Sequence, residues 1–141
     1  MNPLMSVSEY EHFIYTLPQQ YYSIRYTTLT VVRRGATIAR VIGDVQFQKR
    51  CRLTVREKLS FAKTPGIIDG YGYEIFQGDE ILCWYDSQPH PNVPRLQSTN
   101  PHHKHIYPDI KHNRIPAAEM SFTKPNLPVL IKEIEKLISS L

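Results

Sequence analysis

Two consecutive stretches of alternating apolar and polar residues restrict the possible folds of this chain more than any other feature. In residues 39–47 and again in residues 51–61, nearly every second side chain is apolar. Successive side chains of a β-strand point to opposite faces, so this period of two predicts two strands, each with one buried and one exposed face. Because only Gln48, Lys49 and Arg50 separate the stretches, they are predicted to pair as an antiparallel hairpin.

Two further regions are predicted to extend this hairpin into a sheet. Residues 26–33 are rich in β-branched side chains, which favour strands. Residues 71–86 contain two strand-like runs separated by Gly78 and Asp79, and therefore predict a second hairpin. Eight of the 11 prolines lie in residues 89–128. That region predicts an extended segment, because proline lacks an N–H donor and restricts the residue before it.

A helix is predicted near each end of the chain. Apolar residues recur at helical spacing in residues 7–17, with a serine at position 6 or 8 as the N-cap and Pro18 as the end. Residues 127–138 form a second amphipathic pattern. We therefore expect one α+β domain over residues 1–141. It comprises an antiparallel β-meander sheet of about five strands, an N-terminal and a C-terminal helix, and a proline-rich extended segment before the last helix.

Cysteine usage and hydropathy predict a cytoplasmic protein. Cys51 and Cys83 are the only cysteines and lack the spacing of a metal or redox motif, so both are expected to be reduced thiols. Residues 1–13 lack a basic region followed by an apolar run, so no signal peptide is expected. No stretch of about 18 apolar residues occurs, so no membrane span is expected.

Positive charge is concentrated on the predicted central hairpin. The chain has 17 basic and 13 acidic side chains, and nine of the basic ones lie between Arg33 and Lys63. By strand alternation, Arg40, Arg52 and Arg56 share the polar face of the hairpin. A row of cations on a sheet suits contacts with phosphates, which indicates RNA or an acidic protein as a partner. A solvated sheet face is the alternative.

Glu57 and the aromatic residues of the second hairpin are further candidates for function. Glu57 lies in phase with the apolar side chains of its strand, where a lone buried carboxylate is costly. Glu57 therefore has either a structural role, in an ion pair or at an exposed strand end, or a functional one. In a functional role it would be a positioned acid–base group or would orient a histidine. Tyr71, Tyr73, Trp84 and Tyr85 are either core residues or platforms on which RNA bases stack.

The most distinctive motif is the run HHKH, which has a proline on each side. These prolines predict an extended conformation. Alternation then places His103 and His105 on one side of the chain, and His102 and Lys104 on the other. His90 lies about a dozen residues upstream, after the second hairpin.

Three interpretations of this histidine cluster are open. A metal site would use the two imidazoles on one side, and its third ligand would come from His90, Asp86 or Glu57. A polar loop would use the histidines only for hydrogen bonds to the backbone. An acid–base site for RNA cleavage would use histidines to transfer protons near neutral pH. In that site Lys104 or Arg56 would neutralise the charge that develops on the phosphate.

Four motifs together resemble the TumE family of toxins from toxin–antitoxin systems. They are LTVREKLSF, YGYEIF, ILCWYDSQPHP and NPHHKHI, and with an amphipathic C-terminal helix they extend over about residues 38–138. The residues that match the family pattern are Glu57, Tyr71, Tyr73, Tyr85, Asp86, Pro89, His90 and residues 101–105. Trp84, Ser87 and Pro91 depart from it, standing where the family has arginine, asparagine and a second histidine.

The resemblance implies a toxin whose gene lies beside that of a DNA-binding antitoxin of the helix-turn-helix type. Small basic α+β toxins suggest ribonuclease activity by analogy. The leading hypothesis is therefore a metal-independent endoribonuclease that needs no cofactor. Its predicted catalytic residues are His102, His103, His105, Glu57, Tyr85 and Asp86. Its predicted substrate-binding residues are Lys104, Arg56, Arg52, Arg40, His90 and Tyr73.

Two other functions stay open at this level. The protein would be a non-catalytic binding module of a regulatory pair if its basic surface only docks a partner. It would be a metal-dependent hydrolase or nuclease if the histidines are ligands. The predicted partners are the antitoxin and RNA, without a membrane, and an uncovered edge strand would allow a homodimer.

Overall fold

The computed structural model describes residues 2–87, 102–106, 110 and 113–141. Within these ranges the chain has the predicted α+β class, with one antiparallel sheet and helices near both ends. The strands are β1 (Ile24–Thr27), β2 (Thr30–Arg34), β3 (Ile38–Phe47), β4 (Cys51–Ser60), β5 (Ile67–Gln77), β6 (Glu80–Asp86), β7 (His103–His105) and β8 (Arg114–Pro116). The helices are a 3-10 helix (Pro3–Met5), α1 (Val7–Tyr15), α2 (Leu17–Gln20) and α3 (Leu127–Ser139).

The sheet has more strands than the sequence predicted. Its order is β1-β3-β4-β5-β6-β7-β8, and β2 pairs with β3 on the same edge as β1. The predicted number of about five strands is therefore too low, since the described residues contain an eight-stranded sheet. The predicted strand over residues 26–33 is divided between two strands, and the proline-rich segment contributes β7 and β8.

The segment between β1 and β2 passes close to Gly43 of β3, and the predicted strand divides at this point. β1 pairs with the end of β3, whereas β2 pairs with its first half. Gly43 has a φ of 136°, and a Cβ at this position would lie only 2.6 Å from the carbonyl oxygen of Thr28. Only glycine permits this backbone conformation and this close approach. The crossing therefore interrupts a run that looks continuous in the sequence.

The central hairpin of β3 and β4 has the predicted pairing and turn. The two strands pair over nearly their whole length. Lys49 and Arg50 in the turn have φ values of 55° and 61°, a region that large side chains rarely occupy. Lys49 Nζ donates to the carbonyl oxygens of Ile138 and Leu141, at 3.1 and 3.0 Å. These bonds connect the turn to the C-terminal end of α3.

The two faces of the sheet have different environments. The face that contacts α1 and α3, called the inner face here, contains buried apolar side chains such as Leu53, Val55 and Ile75. The opposite side, called the outer face, carries the polar half of the alternating pattern, including Arg40 and Arg56. Burial of apolar area on the inner face is the main favourable contribution to folding.

The structure shows where the helices begin and end. α1 begins after Ser6, whose Oγ accepts a hydrogen bond of 3.1 Å from the N–H of Glu9. The prediction that Pro18 ends this helix is wrong. α1 ends at Tyr15, and Pro18 lies in the first turn of α2, where an N–H is not needed. None of the helices in the described ranges has the length and apolar character to cross a lipid bilayer.

α3 packs one apolar side onto the inner face. Its fully buried side chains are Leu127, Leu130, Ile131 and Ile134. Asn126 occupies the N-cap position, but its side chain does not cap the helix. Instead its Nδ2 donates to the hydroxyl of Tyr73 at 3.1 Å, and its Oδ1 accepts from the N–H of Ser121 at 2.8 Å. Asn126 therefore joins the start of α3 to the sheet.

Candidate functional site

The register of four neighbouring strands brings charged residues into one row on the outer face. Arg56 of β4 pairs with Gly72 of β5, Gly72 pairs with Asp86 of β6, and Asp86 pairs with His103 of β7. Directly paired residues project from the same face, and neighbouring strands lie about 4.8 Å apart. The guanidinium predicted to bind phosphate and the carboxylate and imidazole predicted to be catalytic therefore lie on one surface.

Glycine at two positions of β5 opens a depression in this surface. Gly70 and Gly72 contribute no side chains, and the lining of the depression, whose volume is about 260 Å³, includes the three cations Arg40, Arg56 and Lys58. The Arg56 guanidinium lies across Gly72, because a Cβ on Gly72 would come within 2.5 Å of Nη2. The Arg56 side chain is 68% exposed and so is accessible to a ligand.

Beside the depression, Asp86, His103 and His105 form a compact cluster. His103 Nε2 lies 2.5 Å from one Asp86 carboxylate oxygen, and His105 Nε2 lies 3.4 Å from the other. Three possible ligand atoms, one from each residue, lie within 4.8 Å of one another. The side chains of His103 and His105 are 0% and 3% exposed, whereas that of Asp86 is 26% exposed. The carboxylate is therefore the accessible member of the cluster.

The orientation of His105 is fixed by its second ring nitrogen. Nδ1 lies 3.0 Å from the carbonyl oxygen of Ile110. A carbonyl oxygen only accepts, so Nδ1 carries the proton and Nε2 faces Asp86. Burial lowers the pKa of His105, and the charge of Asp86 partly opposes this effect. Trp84 packs against the imidazole with a ring-centroid distance of 4.2 Å.

Glu57 lies in a buried hydrogen-bond network on the inner face. Glu57 is 3% exposed, and its carboxylate accepts a 2.6 Å hydrogen bond from the Tyr10 hydroxyl and another from the Tyr73 hydroxyl. Burial raises the pKa of Glu57, although both tyrosine hydrogen bonds act to lower it. The hydrogen-bond partners of Glu57 are thus tyrosines and not the predicted histidine. Tyr73, predicted to bind substrate, is fully buried.

Tyr85 and Lys104 meet on the inner face around a residue that the sequence reasoning missed. Glu133 of α3 accepts hydrogen bonds from the Tyr85 hydroxyl and from Lys104 Nζ, the latter at 2.8 Å. Lys104 Nζ also lies 5.1 Å from the centre of the Tyr85 ring. Glu133 could have been found from its helical spacing, since it lies three residues after Leu130 and four before Leu137 in the apolar stripe.

Burial and Glu133 also affect the neighbouring thiol. They raise the pKa of Cys83 to about 12, with burial as the larger cause, so this cysteine stays a thiol at neutral pH. Cys83 and Cys51 are both free and buried. The structure therefore agrees with the expectation of reduced thiols.

His102 is separated from the other two histidines of the run. Its Nδ1 lies 2.7 Å from the Tyr71 hydroxyl, and its ring is stacked 5.7 Å from the Tyr71 ring. Tyr71 belongs to the inner face, because it pairs with Glu57. Burial, and to a lesser degree His103, lowers the pKa of His102. The alternation predicted for the HHKH run is thus confirmed, and it divides the predicted catalytic histidines between two faces.

The remaining predicted substrate-binding residues are only partly near the row. Arg40 is exposed and borders the cationic depression. Arg52 lies on the same face but stacks on Phe76, with its guanidinium carbon 4.3 Å from the ring centre. His90 lies outside the described residues. Gly72 was missed, although the pattern GYGY shows glycine at alternate positions of this strand.

Comparison with known proteins identifies a family for the chain. A family model described as toxin TumE matches residues 12–138. No curated protein and no solved structure matches the chain. The family match covers most of the sequence and includes every described member of the outer-face row. The chain therefore belongs to the TumE family of toxins, and is the toxin component of a toxin–antitoxin system with a cognate antitoxin as its partner.

Proposed function

We propose that this toxin cleaves RNA in the cytoplasm and binds the RNA backbone on the outer face of its sheet. The observation that carries the proposal is the cationic depression beside the cluster of Asp86, His103 and His105. The depression would position a phosphate, and the cluster would supply the reacting groups. Both lie on one face because the strand register aligns Arg56 with Asp86 across a glycine.

The depression suits a phosphodiester in charge and in shape. Arg56 offers a planar fork of N–H donors, and Arg40 and Lys58 add two further positive charges. Charge-assisted hydrogen bonds from a guanidinium to a phosphate are worth about 1.5–3 kcal/mol each. Lys58 and Arg56 make long ion pairs, at 4.0 Å to Asp69 and 3.9 Å to Glu74, and such pairs between exposed or partly exposed side chains are weak. A phosphate would therefore find these cations largely available.

Two chemistries for the cleavage step are compatible with these groups. In the metal-free mechanism predicted from the sequence, imidazoles transfer the protons, each step contributing roughly 10²–10⁴-fold. A transferring nitrogen must reach the substrate within hydrogen-bond distance. The burial of His103 and His105, with only Asp86 partly exposed, favours the second chemistry, in which the cluster holds a metal ion that contacts the phosphate.

The test is cleavage of labelled single-stranded RNA by purified protein, together with growth arrest on expression without the antitoxin. Arg56→Ala should lower cleavage about 10- to 150-fold, the equivalent of one charge-assisted hydrogen bond. It should also reduce the slope of log affinity against log salt by about 0.7. Lys132→Ala, which removes an exposed cation from α3, serves as the matched control. Equal cleavage by all three proteins would contradict the proposed phosphate site.

The joint change of His103→Ala and His105→Ala tests the cluster itself. Loss of cleavage with retained helix and sheet content, measured by circular dichroism, is the expected result. Wild-type cleavage in the double variant would exclude both residues from the reaction. Addition of EDTA separates the two chemistries, since the metal-free mechanism is indifferent to the chelator.

A binding module is the second candidate function, and the charged outer face favours it as much as it favours an enzyme. Tight RNA or antitoxin binding without any turnover would select this alternative. The proposed antitoxin is a DNA-binding protein of the helix-turn-helix type, and co-purification followed by DNA binding tests it. The edge of the sheet formed by β1 and β2 is a proposed homodimer contact, which analytical ultracentrifugation tests.

A further inference from the structure

We infer that Asp86, His103 and His105 form a binding site for a borderline divalent transition metal, with Zn²⁺ as the best fit. The site does not depend on the proposed RNA cleavage, because metal binding is measured directly. It departs from the metal-independent mechanism that the sequence favoured. The three side chains come from adjacent strands and meet in one place on the outer face.

The donor set matches zinc coordination, and the candidate ligand atoms lie within 4.8 Å of one another. Two imidazole nitrogens and one carboxylate oxygen are common zinc ligands, with bonds of about 2.0–2.2 Å. Ligand atoms arranged tetrahedrally at that distance are about 3.3 Å apart. Asp86 Oδ2 and His105 Nε2 are separated by 3.4 Å, close to that value. The contact of 2.5 Å between Asp86 and His103 would have to lengthen by about 0.8 Å to admit the ion.

The hydrogen bond of His105 Nδ1 prepares the other nitrogen for a metal. The bond of 3.0 Å to the Ile110 carbonyl places the ring proton on Nδ1 and directs the lone pair of Nε2 at the Asp86 carboxylate. His105 Nε2 is buried and makes no hydrogen bond within the described part of the chain. Two electron-rich atoms that face each other in a buried site are stabilised by a cation between them. Histidine ligands of metals typically have this arrangement, with the second nitrogen bonded to a carbonyl or carboxylate.

Within the described ranges, the site has the form of a catalytic rather than a structural metal centre. The three protein ligands in the described part of the chain would leave a position for water or a substrate oxygen, whereas structural zinc sites are usually closed by four. The accessible ligand is Asp86, which lies in the row with Arg56. A phosphate oxygen on the metal would therefore lie on the same face as the Arg56 guanidinium. Trp84 covers the His105 ring and limits access of water from that side.

The experiment measures metal binding to the full chain after dialysis against EDTA. Isothermal titration with Zn²⁺ gives the stoichiometry, and Co²⁺ gives a visible absorption spectrum that reports tetrahedral coordination by nitrogen and oxygen. We expect one equivalent of metal in the wild type and in His12→Ala, a matched control that removes an exposed imidazole from α1. Asp86→Asn should weaken binding at least about tenfold, and His105→Ala should weaken it further.

Two outcomes would overturn the site. One is a wild-type protein that binds no Zn²⁺ at micromolar concentrations. The other is binding that persists unchanged in Asp86→Asn and in His105→Gln. The second variant keeps a polar side chain of similar size in case the alanine variant fails to fold. Metal binding without RNA cleavage would reject the proposed function and leave the metal site intact.

Discussion

The substitution Gly72→Ala should separate the function of the outer face from the stability of the fold. The added Cβ would lie 2.5 Å from Arg56 Nη2 and 3.2 Å from Cζ. Ordinary contact begins at 3.4 Å. The guanidinium must therefore move by about 1 Å or more, a displacement sufficient to break an aligned hydrogen bond to a phosphate. Because the guanidinium is the end of a flexible and exposed side chain, the backbone need not move.

The expected magnitude follows from that displacement. Loss of one charge-assisted hydrogen bond costs about 1.5–3 kcal/mol, which corresponds to about a 10- to 150-fold decrease in RNA cleavage. The free energy of unfolding should change by less than about 1 kcal/mol, since alanine also restricts the unfolded chain relative to glycine. The assays are cleavage of labelled RNA and urea unfolding of the same preparations.

A comparison variant and a double variant make this prediction specific. Gly70→Ala adds the same methyl group to the same strand, but within the described residues its Cβ meets Ser87 Oγ, at 3.8 Å, and not the Arg56 guanidinium. Gly70 also lines the depression, but this change leaves the Arg56 guanidinium in place, so cleavage should fall less than in Gly72→Ala. In an Arg56→Ala background, Gly72→Ala should cause little further loss, because the two changes act on one interaction. Additive losses in the double variant, or unimpaired cleavage by Gly72→Ala alone, would refute the role assigned to Arg56.

Three further predictions concern the inner face. Tyr10→Phe should lower the free energy of unfolding by about 1–3 kcal/mol in urea, because it leaves a buried Glu57 oxygen without one donor; an unchanged midpoint would contradict this. Burial raises the pKa of Glu57, so its contribution to stability is present below the ordinary pKa of glutamate and is lost as the pH rises through the folded-state value. The free energy of unfolding, measured between about pH 4 and pH 8, should decline with rising pH in wild type and should not show this decline in Glu57→Gln. Equal pH slopes in the two proteins would argue against this role of Glu57. Glu133→Gln should lower the free energy of unfolding by about 1 kcal/mol, and with it the thermal midpoint, because it weakens the ion pair with Lys104. A thermal midpoint equal to that of Lys132→Ala would show that this ion pair does not stabilise the fold.

The parts of the fold that the sequence predicted are those with local determinants. Alternation identified β3 and β4, because each strand has one apolar and one polar side and a short turn joins them. The break between β1 and β2 was not visible, since it depends on the approach of Thr28 to Gly43, which lies in another strand. The three-residue strands β7 and β8 also escaped prediction. They exist because β6 offers an edge for pairing, and no local pattern encodes that.

The same distinction applies to the candidate site. The alternation of HHKH predicted that His103 and His105 share a side, and the structure confirms it. Whether Asp86 joins them depends on the register of β6 against β7, which is a long-range property. Glu57 was recognised as anomalous, but its partner Tyr10 comes from a helix 47 residues earlier in the chain. A sequence pattern can show that such a residue is unusual, but it does not identify the hydrogen-bond partner of that residue.

The two faces of the sheet assign different roles to residues that the sequence grouped together. On the inner face the polar groups meet one another: Glu57 bonds to tyrosines, and Glu133 holds both Tyr85 and Lys104. Buried groups with satisfied partners chiefly maintain a structure, because rearranging them to bind a ligand would leave unpaired polar atoms. On the outer face, the exposed guanidinium of Arg56 makes only a long and therefore weak ion pair with Glu74, at 3.9 Å, within the described residues. Function is therefore expected on the face where binding a ligand adds interactions rather than replacing them.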